Sequence, residues 1–119
     1  MSDEETEETT EIEELFWEGS DLHGDGKHAE AMEVFDKCLA IDPNYGDALL
    51  GKAMVHLARE EFDDAIALGN KLVQLDPDDL LGYTNLSMFY MRAGRIDEAE
   101  EANAKARMLD WQRQLKEEK

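Results

Sequence analysis

Apolar residues in the middle of the chain recur at intervals of three and four. Leu49, Ala53 and the pair His56-Leu57 form one such run, and Ala65, Leu68, Leu72 and Leu75 form the next. That period gathers them on one side of a helix. Between the runs lies the polar stretch Arg59-Glu60-Glu61, which reads as a turn. The matching turns elsewhere carry Gly24-Asp25-Gly26 and Gly94. Glycine accepts the positive φ that the end of a helix often needs. Asp42 and Asp76 suit helix N-caps, with Pro43 and Pro77 at the first helical position. Asp78 and Asp79 complement the positive end of a helix dipole. Thr10 and Glu13 have the spacing of a capping box. The pattern predicts six helices, at 11–24, 28–41, 44–58, 62–75, 78–92 and 96–109, and no strand. After 109 a short separate helix and a continuation of helix six are both compatible with Trp111-Gln112-Arg113-Gln114-Leu115-Lys116. Either would cover the open apolar face of the last hairpin, with Trp111 and Leu115 on the buried side.

The helices repeat. Ala40-Ile41-Asp42-Pro43 and Gln74-Leu75-Asp76-Pro77 stand 34 residues apart, and Met108-Leu109-Asp110-Trp111 follows after another 34 with Trp in place of Pro. The same interval relates Lys37, Lys71 and Lys105, and also Ala31, Ala65 and Ala99. Several residue types in register at one interval mark a stacked array of helical hairpins. The expected architecture is an all-α solenoid of three hairpins, at 12–45, 46–79 and 80–113, with a C-terminal capping helix or extension.

Charge narrows the function classes. Thirty acidic against twelve basic residues give a net charge of −18. Such a balance argues against nucleic-acid backbone and against an anionic membrane surface. It favours a basic or neutral protein partner. The excess is uneven: residues 1–60 carry net −13 and residues 61–119 net −5. Residues 1–10 hold Ser2-Asp3-Glu4-Glu5-Thr6-Glu7-Glu8-Thr9, with nothing apolar between Ser2 and Thr9 to bury, and read as an acidic disordered tail. Cys38 is the single cysteine, so no internal disulfide forms. There is no run of about 20 apolar residues and no signal-peptide pattern, which makes a cytoplasmic location the default.

In these residues the chain resembles the tetratricopeptide repeat family, whose 34-residue pattern is W-x2-L-G-x2-Y, then A-x3-F, then P. The first unit offers Leu15, Gly19, Leu22, Ala31, Phe35 and Pro43 at those places; the second offers Leu49, Ala53, His56, Ala65 and Pro77; the third offers Tyr83, Leu86, Ser87, Tyr90 and Ala99. The resemblance spans residues 12–111. Glu18 departs from it, as do Gly69 and Asn103, which stand where an aromatic is usual. Gly69 inside a helix costs roughly 1 kcal/mol relative to Ala and suggests looser packing of the second hairpin.

The resemblance implies that the first helix of each unit lines a concave side. Its ligand-facing positions fall on Glu13, Phe16, Ser20, His23 and Gly24 in the first unit. They fall on Asp47, Leu50, Met54, Leu57 and Ala58 in the second, and on Leu81, Thr84, Met88, Met91 and Arg92 in the third, with Trp17, Gly51 and Asn85 beside them. Phe16, Leu50, Met54, Leu57, Leu81, Met88 and Met91 are expected to form one apolar strip, and exposed apolar area usually marks an interaction site. Methionines suit a partner of variable shape. The function implied is a non-catalytic adaptor that binds an apolar or amphipathic segment of another protein; the alternative is a scaffold subunit that self-assembles through the same strip. The family's carboxylate clamp needs Lys, Asn, Asn, Lys and Arg where this chain has Phe16, Ser20, Gly51, Leu81 and Asn85. None matches, which argues against capture of acidic chaperone tails.

Other signals are weak. Asp21-Leu22-His23-Gly24-Asp25-Gly26 faintly resembles a calcium loop, but His stands third and Met32 twelfth. His23, His28 and Asp25 share one turn, without cysteines or a His-x3-His spacing. His56 takes a packing position, and Cys38 reads as a buried packing residue. No nucleophile motif, phosphate loop or dinucleotide fingerprint is present. No enzyme activity, metal or cofactor is therefore expected.

Overall fold

The structure is a computed structural model and describes residues 3–118. All regular elements in the described residues are helical: α1 (Asp3–Gly24), α2 (His28–Ile41), α3 (Gly46–Ala58), α4 (Phe62–Leu75), α5 (Leu80–Arg92) and α6 (Ile96–Glu117). The density of backbone contacts divides the chain into two compact units, Met1–Arg59 and Glu60–Lys119.

In the first unit α1 and α2 form a hairpin, and α3 packs on α2 and touches α1. Its core gathers Ile12, Ala31, Phe35, Cys38, Ala48 and Val55, with Leu15, Phe16, Met32 and Tyr45 packed around them. Phe35 decides how closely these helices approach. A Cβ added at Gly19 or at Gly51 would lie 2.6 Å from a ring carbon of Phe35. Only glycine on both flanking helices lets α1 and α3 come down on the two sides of that ring. Phe16 completes the aromatic group at 6.2 Å from Phe35 and 6.3 Å, edge-on, from Tyr45.

In the second unit α4 packs on α5, and α5 pairs with α6 as a hairpin. Ala65, Ile66, Gly69 and Val73 of α4 are buried, as are Gly82, Leu86 and Phe89 of α5 and Ala99, Ala102 and Ala106 of α6. A Cβ on Gly69 would meet Leu86 Cδ1 and Phe89 Cδ2, each at 3.0 Å. Position 69 is therefore closely packed against α5. Phe89 fills the space that an aromatic at 69 would have taken. Polar contacts tie the same helices: Ser87 Oγ donates to the Ala99 carbonyl at 2.7 Å, and Asn70 Nδ2 donates to Tyr90 Oη at 3.2 Å. Arg95 holds Glu98 through two hydrogen bonds of 2.9 Å and lies 5.3 Å from the centre of the Tyr90 ring.

Several helix ends differ from expectation. Asp42 and Asp76 close α2 and α4 instead of opening the helices that follow. Each begins a tight turn with proline second: Tyr45 N–H donates to the Asp42 carbonyl at 3.1 Å, and Asp79 N–H to the Asp76 carbonyl at 3.2 Å. Asp42 spends its carboxylate on Asn44 N–H, 3.0 Å away, an Asx turn. The cap of α5 is Asp79, which accepts from Leu81 N–H at 3.1 Å. At the front, α1 runs through Thr10 from Asp3, so the acidic stretch expected to be disordered is helical from residue 3. Glutamate is a good helix former, and acidic side chains suit the first turns. Glu7, Thr9 and Thr10 are exposed and add nothing to the core.

At the other end α6 continues unbroken to Glu117, because Trp111 lacks the constraint of the prolines at 43 and 77. Trp111 and Leu115 are 60% and 41% exposed, which corrects their expected burial. Helical phase is the reason. Ala99, Ala102, Ala106 and Leu109 hold the inward stripe, and two residues on from Leu109 the helix has turned about 200°. Ile66, Gly69 and Val73 are buried on α4, whereas Glu100, Asn103 and Arg107, 34 residues later, are polar and exposed.

Candidate partner-binding site

On α5 the residues Leu81, Thr84, Asn85, Met88, Met91 and Arg92 share one face, opposite the buried Gly82, Leu86 and Phe89. Leu81 is 57% exposed, Met88 37% and Met91 51%. Three large apolar side chains on one helical face, all wet, form the strongest candidate surface. Asn85 is half-buried between them, and Arg92 is exposed at the end of the helix.

The corresponding positions of the first unit are less open. Phe16, Ser20 and His23 on α1 and Leu50 and Met54 on α3 are half-buried, and Asp47 is exposed. Leu57 does not belong to the surface: it is 3% exposed. It continues the row Leu49–Ala53 at a spacing of four, and that row is the buried one. Phe16 is partly spent on the core, in contact with Phe35 and Tyr45. Of the residues expected in the strip, those of α5 are exposed and those of α1 and α3 are half-buried or, for Leu57, buried.

One feature of the α5 surface escaped the sequence reading. A cleft of about 460 Å³ opens beside Leu81, lined by Leu80, Leu109, Arg113 and Lys116 with Asp78 and Asp79 at its edge. It exists because α6 runs past residue 109 and carries two cations along the start of α5. The 3-and-4 spacing Ala106–Leu109–Arg113–Lys116 held that information, but only on the condition that the helix does not break at Asp110. Asp110 accepts from Arg113 at 3.0 Å and from Gln114 at 3.1 Å, so it staples the continuation instead of capping a new helix. Cys38 is buried, as expected, and its thiol donates to the Ile12 carbonyl at 3.7 Å. Burial pushes that thiol above its ordinary range, against the smaller effect of its own backbone hydrogen bond.

Comparison with known proteins agrees with the fold. The sequence profile described as the tetratricopeptide repeat matches residues 22–81 and 57–112. The chain is 30% identical over 89 residues to a probable UDP-N-acetylglucosamine–peptide N-acetylglucosaminyltransferase, SPINDLY, of Hordeum vulgare; the match covers 75% of this chain and 9% of that protein. The structure superimposes on a crystal structure of MamA with a TM-score of 0.78 and 24% identity, over 88% of this chain and 61% of that one. It superimposes on the first repeat domain of Spaghetti (RPAP3) bound to the HSP90 peptide SRMEEVD with a TM-score of 0.75 and 19% identity, over 84% of this chain and 79% of that one. Among the described residues no helix is long and apolar enough to cross a membrane.

Proposed function

The chain belongs to the tetratricopeptide repeat family, and on that premise we propose that it is a non-catalytic adaptor that takes an apolar or amphipathic segment of another protein on the first helices of its repeats. The observation that carries this is the exposed row Leu81, Met88 and Met91 on one face of α5. Each such side chain contributes roughly 1.5–3 kcal/mol when covered. Association itself costs several kcal/mol or more, so binding near the micromolar range follows. An amphipathic helix meets such a row through residues at spacings of three and four. Leu50, Met54 and Phe16 of the first unit offer further apolar area to the same kind of segment. Arg113 and Lys116 beside Leu81 suit an acidic group at one end of it.

The peptide in the Spaghetti (RPAP3) structure is acidic at its end. The clamp positions for such a tail hold Phe16, Ser20, Gly51, Leu81 and Asn85 here. These positions carry none of the clamp's cations, so an apolar segment is the better ligand for this chain.

The test is affinity capture with wild type against Met88→Glu/Met91→Glu, with circular dichroism of both. We expect the double variant to keep its helical signal and to lose the captured partner. Capture at wild-type strength would overturn the proposal, and so would loss of the helical signal, which would mark these methionines as core. Sedimentation over a range of concentration separates binding of another protein from self-assembly through the same residues.

A further inference from the structure

His23 closes α1 and His28 opens α2. The turn between them is fixed by its own backbone. Gly26 N–H donates to the His23 carbonyl at 3.0 Å, and Lys27 N–H donates to the Leu22 carbonyl at 2.9 Å. This is the double hydrogen bond of a Schellman cap, and Gly26 supplies its left-handed residue at φ 78°. The two imidazoles stand on either side of that cap with ring centres 5.5 Å apart. Nδ1 of each is shielded from solvent and has no hydrogen-bond partner. A buried polar atom without a partner costs about 1–3 kcal/mol, and two on adjacent rings require an explanation.

We propose that His23 and His28 form a two-imidazole site for a divalent transition-metal ion of the zinc, nickel or copper group. Imidazole nitrogen is the preferred ligand of these ions. A nitrogen about 2.1 Å from the metal sets each ring centre about 3.2 Å from it, and a tetrahedral angle then separates the two centres by about 5.2 Å. The observed separation of 5.5 Å lies close to that value. The cap fixes the backbone on both sides of the turn before any ion arrives, which lowers the ordering left to be done on binding. The His-x4-His spacing, without cysteines, is a weak signal in the sequence alone; the fold brings the rings together.

The experiment is a titration of the full chain with zinc chloride, followed by nitrogen-detected NMR of the imidazoles. We expect the Nδ1 signals of His23 and His28 to shift together and saturate near one equivalent. His28→Gln keeps the helical signal and binds zinc about tenfold more weakly or worse. A shift at only one of the two rings would overturn the proposal, as would shifts that grow without saturation, the mark of loose binding to the many carboxylates. Wild-type affinity in His28→Gln would overturn it as well.

Discussion

The two units place their largest buried side chain on different helices. In the first, Phe35 stands on the second helix of its repeat, and glycines at 19 and 51 on the flanking helices make room for it. In the second, the equivalent of Phe35 is Gly69, and the aromatic is Phe89 on the helix that packs against it. Both rings are almost fully buried. The family pattern asks for an aromatic at one position, but packing asks only that the volume between two helices be filled once. Large opposite small satisfies it in either order.

The severest way to break this comparison is to remove the rings. Phe35→Ala and Phe89→Ala should each lose about 3–5 kcal/mol in urea unfolding followed by helical circular dichroism. Equal losses support the equivalence. A loss below about 1 kcal/mol for Phe89→Ala would show that the second unit is not organised around that ring.

The next test adds volume. In Gly51→Ala the new methyl would lie 2.6 Å from the Phe35 ring, a distance that forces the ring to move. Overpacking of this kind costs about 1–3 kcal/mol, more than the roughly 1 kcal/mol that Ala gains over Gly inside a helix. Gly69→Ala meets its neighbours at 3.0 Å, and one of those is the end of the Leu86 side chain. It should therefore be the milder of the two. Phe35→Leu should relieve Gly51→Ala, and measurement of the double variant decides whether the ring is the cause.

How much of this was legible before folding depends on range. The helix boundaries at 24, 28, 41, 58, 62, 75, 92 and 96 follow from local signals, and the structure places them there. The role of Gly69 was not legible, because its partner is 20 residues away and breaks the family pattern. The exposure of Trp111 and Leu115 is not legible locally, because the face an apolar side chain takes depends on the phase of α6 past residue 109. The burial of Leu57 is not legible from the family pattern, because a position that faces outward there falls here on the row that starts at Leu49. For the candidate site, the α5 row was legible from spacing alone, while the cleft beside Leu81 needed the knowledge that α6 does not stop at Asp110.

A smaller effect concerns the turns. Gly26 and Gly94 adopt φ of 78° and 79°, and Glu60, at the same place in the repeat, adopts φ of 60°. A residue with a Cβ pays about 1 kcal/mol for that conformation. Glu60→Gly should raise stability by about that amount, read from the midpoint of unfolding. No change would mean that the glutamate side chain offsets the strain.

The smallest expected effect uses the histidines. His23, His28 and His56 all fall within Met1–Arg59, so the second unit has none. His23 is held below its ordinary value near 6.5 by burial first and by His28 second. The unfolded chain therefore binds a proton at this residue at a higher pH than the folded chain does. In that window stability rises with pH, and it is lost as pH falls from about 6.5 through the lowered folded value. Amide exchange at pH 7.5 and 5.5, corrected for its intrinsic rate, should show protection falling in α1 and α2 while that of α5 and α6 holds. His23→Gln should remove the difference. Equal loss of protection in all four helices would show that the pH dependence does not act through His23.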